Sequence, residues 1–183
     1  MSDTAAGKSC MTLNLGNYMN FLRMVQEDPS KARFSFSTKT VWQGAAKTET
    51  TARGRVIAAD EPEAFGGQDS AADRVELLLA ALASCVSIGL VTQAAKRGID
   101  FEDFEIDVKG DLDLRGYLGL DESVRPGYEN ITYTVRVKTD APAEVIEEML
   151  RKSESTSPMF DNIRNGVGIT SVVEVIAPEA VGV

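Results

Sequence analysis

The stretch between residues 75 and 98 constrains the fold most, because it contains the longest apolar run of the chain. Residues 77–95 carry no charge, and leucine and alanine dominate the first half of the run, which favours a helix. Ser70 and Asp73 precede it at the spacing of a capping box, and Gly98 follows it as a residue suited to a helix C-terminus. The sequence therefore predicts one long helix here.

A helix that is apolar on every face must be buried on every face, either in lipid or inside protein. The uncharged run is near the lower limit of roughly 17 to 25 residues for a membrane span. Against a span, polar and small residues dilute the run, and no second candidate exists elsewhere in the sequence. We therefore expect the central core helix of a soluble protein without a membrane partner.

The overall composition narrows the class of protein. A chain of 183 residues fits a single domain spanning 1–183, large enough to form a core without disulfide or metal support. The formal net charge of −9 argues against a nucleic-acid partner, because phosphate contacts need clustered Lys and Arg. The amino terminus has no secretory signal pattern, so we expect a cytoplasmic protein.

The chain contains no histidine and only two cysteines. The absence of histidine excludes Ser-His-Asp and Cys-His catalytic pairs and nearly all zinc and non-haem iron sites, so we expect no metal and no cofactor. In a reducing compartment both cysteines should be free thiols. We expect Cys10 in a mobile N-terminal tail and Cys85 in the long helix.

Hydrophobic periodicity predicts the other elements of secondary structure. Helices are expected at 13–26, from 142 onward, and from Ser157-Pro158 to about residue 165. Strands are expected at 32–43, 48–58, 101–114 with a bulge near Gly110, 131–139 and 169–176. This order indicates an α+β domain in which a largely antiparallel sheet packs on helices.

Four segments in a fixed order resemble the OsmC/Ohr family of osmotically induced and organic hydroperoxide resistance proteins. They are FGGQDSAADRVELLLAALASC, the AAKRGI that follows it, RGYLGLDESVRPGYENI, and the Ser-Pro turn at Ser157. The resemblance implies an OsmC-like fold, with antiparallel sheets wrapped around long central helices in an intertwined homodimer. It divides the single domain into a leader and helix at 1–30 and a core at 31–177.

The resemblance also implies an activity, a thiol-dependent reduction of small organic hydroperoxides. In the peroxidase members a cysteine on the central helix is oxidised to sulfenic acid, a second cysteine forms a disulfide with it, and a dithiol reopens that disulfide. Cys85 matches the reacting cysteine. The family also has an arginine that stabilises the thiolate, and the candidates for it are Arg53 and Arg55.

This sequence departs from the peroxidase pattern at two positions. Ser157 stands where the resolving cysteine is expected, and Val75 stands where an activating glutamate is expected. The neighbouring Glu76 points about 100° away around the helix, so we favour a helix-start charge over a catalytic role for it. Without a resolving thiol, sulfenic Cys85 would react with an external thiol reductant, as in a one-cysteine peroxidase, or be overoxidised to sulfinic acid. Cys10 is the less favoured candidate for the resolving role, because a tail position does not provide the geometry.

Two further hypotheses stay open at the level of sequence. A non-catalytic protein of the same fold would bind a lipophilic ligand in the dimer cleft, with Cys85 serving only in packing. In the glycine-rich loop 115–128, Arg115 and Arg125 flank apolar residues. We favour a packing role for this loop, and the alternative is that one arginine lines the functional site.

Overall fold

The computed structural model describes residues 9–177 and has an α+β architecture. Its helices are α1 (Leu15–Glu27), α2 (Arg74–Arg97), α3 (Leu114–Tyr117), α4 (Ala143–Ser155) and α5 (Pro158–Asn165). Its strands are β1 (Lys39–Trp42), β2 (Thr48–Ala52), β3 (Arg55–Ala59), β4 (Asp103–Asp111) and β5 (Asn130–Lys138). Strands β1, β2 and β3 form one antiparallel sheet, and β4 pairs with β5 in a second.

Helix α2 confirms the predicted long helix, and Gly98 ends it in the left-handed conformation with φ 68°. Its N-terminus differs from the prediction. The capping box joins Asp73 and Glu76, whose side chain accepts a hydrogen bond from the Asp73 amide. Ser70 instead donates its hydroxyl to the buried carboxylate of Asp60, because the chain before α2 folds back onto the end of β3.

The first sheet corrects the predicted hairpin. The run 48–58 is not one strand but two, β2 and β3, because the chain reverses at Arg53-Gly54. Both residues have positive φ, 50° and 77°, as a tight turn between antiparallel strands requires. Arg53 therefore lies at a hairpin tip rather than within a strand.

The second sheet has a regular register throughout. Asp103 lies opposite Lys138, and Gly110 lies opposite Ile131. The bulge predicted near Gly110 is therefore wrong. This glycine serves a different purpose, since the ring of Tyr128 lies where a side chain would stand, 2.4 Å from the position of a Cβ.

The core lies between the C-terminal half of α2, helix α4 and the inner face of β4–β5. Leu90 and Met149 are fully buried there and pack with Ala94 and Phe101. Gly89 allows α4 to approach closely, because a Cβ at this position would lie 1.9 Å from the Ser153 hydroxyl. The predicted starts of α4 and α5 are confirmed, with Pro142 and Ser157 as their N-caps.

Cys10 belongs to this core, which contradicts the expected mobile tail. Its side chain is buried against Leu90 and Met149. The carboxylate of Asp100 accepts hydrogen bonds from the Cys10 amide, at 2.7 Å, and from the Ser9 hydroxyl, at 2.8 Å. These bonds hold the short 3-10 helix Cys10–Thr12 on the end of α2.

The strand predicted at 169–176 does not form. This segment pairs with no strand among residues 9–177 and lacks the ladder that would define it as a strand. Its apolar side chains point into solvent, and Ile169 is 90% exposed. The alternating sequence is that of a strand, but the part of the chain that the structure describes offers it no partner.

Several other apolar side chains stay uncovered in the single chain. On α2, Ile88 is 67% exposed, and in the first sheet Trp42 is 72% exposed. Helix α2 is also long and apolar enough to cross a membrane by length and composition, a test that the core helix of a soluble protein passes as well. Exposed apolar side chains thus lie on α2, on the first sheet and along the segment 167–176, and also on α1 and at Phe36 and Leu120.

Candidate active site around Cys85

Cys85 lies in the middle of α2 and is half-buried. Its sulfur is 3.0 Å from the hydroxyl oxygen of Ser157, the N-cap of α5. Ser157 is itself buried, so the contact is shielded from most solvent. The structure therefore brings together two residues that are 72 positions apart in sequence and that sequence analysis had selected separately.

The hydroxyl of Ser157 is fixed from two sides. It accepts a hydrogen bond from the backbone amide of Phe160 at 3.2 Å, as an N-cap serine does. Because the Ser157 oxygen accepts the Phe160 amide, the hydroxyl proton of Ser157 is free to point at the sulfur of Cys85. Ser157 can therefore donate to a negatively charged sulfur or to the oxygen of a sulfenate, but it cannot form a disulfide.

Arg53 and Arg55 lie away from this pair within the chain. Both are exposed, at the turn between β2 and β3 and at the first residue of β3. No hydrogen bond joins either arginine to Cys85 among residues 9–177. The structure therefore groups Cys85 with Ser157 and leaves both candidate cations outside that group.

Glu76 occupies the start of α2, and its carboxylate accepts the Asp73 amide at 2.8 Å. This is the helix-start role favoured on sequence grounds. At the glutamate position of the family, the backbone carbonyl of Val75 accepts a hydrogen bond from the Tyr128 hydroxyl at 2.9 Å. Burial raises the pKa of Tyr128, with smaller contributions from the charges of Asp73 and Glu76, so the phenol is a neutral donor that ties its loop to α2.

An arginine–glutamate pair that sequence analysis missed lies at the beginning of α2. Arg74 forms an ion pair with the mostly buried Glu61, and its guanidinium lies 4.5 Å from the centre of the Tyr117 ring. Arg74 precedes Cys85 by eleven residues, or about 16 Å along the helix axis. The pair therefore fixes the loop before α2, and it is too far away to act on the sulfur directly.

A cavity of about 550 Å³ lies between α2, β5, α5 and the loop before β5, and its lining includes Leu82, one helical turn before Cys85, and Phe160, one turn after Ser157. Leu78 and Leu82 line it and share one helix face with Cys85, at spacings of four and three residues. Arg125 also lines it, so the loop 115–128 combines packing with a charged contribution to this cavity. Arg115 instead pairs with Asp113, outside the cavity.

The far wall of the cavity is aromatic. Tyr133 and Phe160 meet edge to face, with ring centres 6.0 Å apart and planes at 81°. The hydroxyl of Tyr133 donates to the carboxylate of Glu154, and burial together with this bond raises the pKa of Tyr133. Phe160 follows Ser157 by one helical turn, and its amide donates to the Ser157 hydroxyl, which links this wall of the cavity to the N-cap of α5.

Metal ligation has no visible basis in the part of the chain that the structure describes. No group of three or more cysteine, aspartate or glutamate side chains there is arranged to hold a metal ion. The candidate site is thus a cysteine and a serine near a cavity whose lining combines apolar and aromatic residues with two arginines, a glutamate and two asparagines.

Comparison with known proteins places these features in context. The sequence matches the family model described as OsmC-like protein over residues 67–172, which include Cys85, Ser157 and all of the residues that line the cavity. A search of the curated proteins found no match.

Solved structures give a consistent result for the fold. An OsmC-like protein from Mycoplasma pneumoniae aligns with a TM-score of 0.62 and 14% identity, covering 72% of this chain and 89% of that one. An OsmC-like protein of unknown function from Vibrio cholerae gives 0.61 and 15%, covering 72% and 95%. An organic hydroperoxide resistance protein from Legionella pneumophila gives 0.52 and 17%, covering 73% and 91%. These matches establish a shared α+β fold.

Proposed function

Since the chain belongs to the OsmC-like protein family, we propose that it is a thiol-dependent hydroperoxide reductase in which Cys85 is the reacting cysteine. The observation that carries this proposal is the contact of 3.0 Å between the Cys85 sulfur and the Ser157 hydroxyl, one helical turn from Leu82 and Phe160 of a neighbouring cavity. The name of the Legionella pneumophila protein, which refers to organic hydroperoxide resistance, is consistent with this chemistry on a similar fold.

The proposed reaction starts with attack of the Cys85 thiolate on the outer oxygen of a hydroperoxide. A sulfur–oxygen bond forms and the oxygen–oxygen bond breaks, so the hydroperoxide leaves as an alcohol after taking up one proton. The cysteine is oxidised to sulfenic acid. Ser157 donates a hydrogen bond to the reacting sulfur and then to the sulfenate oxygen.

Reduction then requires a thiol from outside the chain, because Ser157 cannot supply one. An external thiol attacks the sulfenic acid, releases water and leaves a mixed disulfide on Cys85. A second thiol, or the other half of a dithiol, attacks this disulfide and restores Cys85. The buried Cys10 packs with Leu90 and Ala94 in the C-terminal half of α2 and does not take part. Such external thiols are abundant in the cytoplasm, where we place the protein.

The proposal includes a homodimer. Three apolar surfaces of the single chain support it: the face of α2 that carries Ile88, the sheet face that carries Trp42, and the unpaired segment 167–176. Small residues Ala80, Ala81 and Ser84 lie exposed on α2 near Ile88, and they would let a second α2 approach closely. In the dimer the segment 167–176 would gain a strand partner, which it does not have among residues 9–177 of its own chain.

The dimer could also supply the arginine that is expected to stabilise the Cys85 thiolate. The β2–β3 hairpin carries Arg53 and Arg55 outward, without a hydrogen bond to Cys85 of the same chain. A second copy packed against α2 could bring its own hairpin tip to Cys85. Either arginine would then stabilise the thiolate electrostatically.

A second candidate function is ligand binding without chemistry. The cavity beside Cys85 favours it, as do the two replaced positions, Val75 and Ser157. In that case a lipophilic ligand would occupy the cleft and Cys85 would only pack against it.

Steady-state consumption of cumene hydroperoxide with dithiothreitol tests the choice between the two functions. The reductase proposal predicts turnover by the wild-type protein and none by Cys85→Ser. Cys10→Ser should retain turnover, since Cys10 lies in the core. Equal rates for the wild type and Cys85→Ser would contradict the proposal and favour the ligand-binding function.

A further inference from the structure

We propose that Tyr133 is a positioning residue for the contact between Cys85 and Ser157. It belongs to β5, and it holds the turn between α4 and α5, on which Ser157 lies, against the second sheet. The inference concerns where the Ser157 side chain lies, so it does not depend on chemistry at Cys85.

The turn that carries Ser157 is short and is fixed by hydrogen bonds on both sides. Only Thr156 and Ser157 separate α4 from α5. The Ser157 amide donates to the carbonyl of Glu154 at 3.2 Å, and the Ser157 hydroxyl accepts the amide of Phe160 at 3.2 Å. The residue three before Ser157 therefore fixes its backbone, and the residue three after it fixes its side chain.

Tyr133 contacts both of these flanking residues. Its hydroxyl donates to the carboxylate of Glu154, and its ring meets the ring of Phe160 edge to face, with centres 6.0 Å apart. One side chain of β5 thus holds one flank of Ser157 by a hydrogen bond and the other flank by ring packing. The position of Ser157 should therefore depend on the hydroxyl of Tyr133.

The bond between Tyr133 and Glu154 persists over a wide range of pH. Burial raises the pKa of Tyr133, the bond to Glu154 and its charge add to this effect, and the charge of Arg164 opposes it. The phenol consequently keeps its proton at neutral and mildly alkaline pH and remains a donor. A hydrogen bond to a carboxylate is also stronger than one between neutral groups, which suits a residue that holds a turn in place.

The side of α4 that faces α2 is held separately. Ser153, the neighbour of Glu154, donates its hydroxyl to the Val86 carbonyl at 3.2 Å. The last turn of α4 is thus bonded to α2 through one residue and to β5 through the next. Removal of the Tyr133 hydroxyl leaves the bond to α2 in place, so we expect the turn to shift and the protein to remain folded.

Thiol–disulfide exchange in the full-length Ser157→Cys protein measures the position of the turn without any peroxide. In a glutathione redox buffer, the equilibrium gives the effective concentration of the thiol at position 157 toward Cys85, which reports how closely the turn holds the two residues together. We expect Tyr133→Phe in this protein to lower the effective concentration about fivefold, because one hydrogen bond contributes about that factor.

Three further variants separate positioning from a general loss of structure. Glu154→Leu removes the same bond from its other side and should give the same fall, which keeps the test open if one of the two variants does not fold. Glu154→Gln, whose amide oxygen can still accept the phenol, should retain most of the effective concentration. Tyr128→Phe is the matched control, since it removes another phenol hydroxyl, bonded to the Val75 carbonyl, and should leave the value unchanged.

An effective concentration that neither Tyr133→Phe nor Glu154→Leu lowers would overturn the inference, and so would an equal fall in Tyr128→Phe. A Ser157→Cys protein that forms no disulfide would also overturn it, because the turn would then not hold position 157 against Cys85. Thermal melting of each variant checks that it is folded.

The consequence for catalysis rests on the proposed reductase function. In the otherwise wild-type chain, Tyr133→Phe should slow turnover of cumene hydroperoxide by a factor similar to its effect on the effective concentration, and Glu154→Gln should retain turnover. The expected fall in effective concentration without any turnover by the wild-type protein would support the positioning role and remove the reductase function. Turnover together with an unchanged effective concentration would remove the positioning role and keep the reductase function.

Discussion

Ser157 is the residue at which this chain differs most informatively from a two-cysteine peroxidase. Its hydroxyl oxygen is 3.0 Å from the Cys85 sulfur, and a disulfide requires the two sulfurs to be about 2.05 Å apart. The difference of about 1 Å is within the reach of small side-chain and backbone movements. The backbone at this position would therefore allow a cysteine at 157 to reach the Cys85 sulfur.

We predict that Ser157→Cys creates a two-cysteine enzyme. After one equivalent of cumene hydroperoxide, its intact mass should fall by two hydrogens as the bond between positions 85 and 157 forms. The wild-type protein should instead gain one oxygen. Ser157→Ala is the matched control, which cannot form the bond and should lose about 1 kcal/mol of stability with its N-cap. A Ser157→Cys protein that only gains oxygen would show that α5 does not hold position 157 against Cys85.

The two thiols of the chain should differ in reactivity, because Cys10 is buried in the core and Cys85 is only half-buried. Burial raises the pKa of Cys10, and the nearby charge of Asp100 adds to this effect. We predict that iodoacetamide alkylates Cys85 before Cys10 in the native protein, and both cysteines equally in urea. Mass analysis of the alkylated peptides measures the order. Equal native rates would contradict the buried position of Cys10.

The same raised pKa makes stability depend on pH in a defined direction. Above the unfolded-state thiol pKa of about 8.5 the unfolded chain loses the Cys10 proton while the folded chain keeps it, so stability falls as pH rises. Below about pH 8.5 the Cys10 thiol is protonated in both the folded and the unfolded chain, so Cys10 does not reduce the stability there. Urea midpoints of Cys85→Ser should fall more steeply between about pH 8 and about pH 10 than those of the variant that also carries Cys10→Ala. Parallel curves would show that Cys10 does not titrate differently in the two states.

At the scale of elements, the packing of α4 on α2 depends on one glycine. A Cβ at Gly89 would lie 1.9 Å from the Ser153 hydroxyl and 3.0 Å from its Cβ. We predict that Gly89→Ala lowers the free energy of unfolding by about 1 to 3 kcal/mol, the usual cost of overpacking a core. Denaturant unfolding measures the change.

Ser153→Ala provides the control for this helix contact. Alone it removes the hydrogen bond from the Ser153 hydroxyl to the Val86 carbonyl. Combined with Gly89→Ala it removes the closest clash, so the double variant should be more stable than the sum of the two single changes indicates. Simple additivity would show that the clash is relieved elsewhere.

Elements that depend on local sequence were predictable, whereas elements that depend on a neighbour were not. The start and end signals of α2 and the alternation of β5 are local, and the structure confirms both elements. The break at Arg53-Gly54 was missed because the flanking residues continue a strand-like pattern on both sides. The segment 169–176 was predicted as a strand because its pattern is one, but a strand also needs a partner edge.

The candidate site follows the same rule. Cys85 and Ser157 were identified from motifs, and the structure places them in contact. The cavity walls contributed by Tyr133 and Phe160 carried no sequence signal, since each occupies an ordinary apolar position in its element. The burial of Cys10 depends on Asp100, which is ninety residues away in sequence.

At the scale of the whole molecule, the exposed apolar surface is the feature that most needs explanation. Ile88 is 67% exposed at the middle of α2, where the core helix of a monomer would be covered. We predict that the wild-type protein elutes as a dimer in size-exclusion chromatography with light scattering. Ile88→Glu should shift it toward the monomer, because a charge would then be buried in the interface.

Met11→Glu is the matched control for the dimer. Met11 is also exposed, but it belongs to the short helix Cys10–Thr12 rather than to the face of α2 that carries Ile88. This variant should keep the wild-type mass. A wild-type protein that is monomeric at micromolar concentration would contradict the dimer, and it would leave Arg53 and Arg55 without a route to Cys85.

The fate of Cys85 under one equivalent of cumene hydroperoxide tests the central claim most directly. Intact-mass spectrometry with a sulfenic-acid trap, with and without dithiothreitol, follows the reaction, and Cys85→Ser serves as the control. We predict rapid addition of one oxygen at Cys85, full reversal by the dithiol and no addition in Cys85→Ser. Slow addition, or oxidation that the dithiol does not reverse, would contradict a reductase that turns over at Cys85.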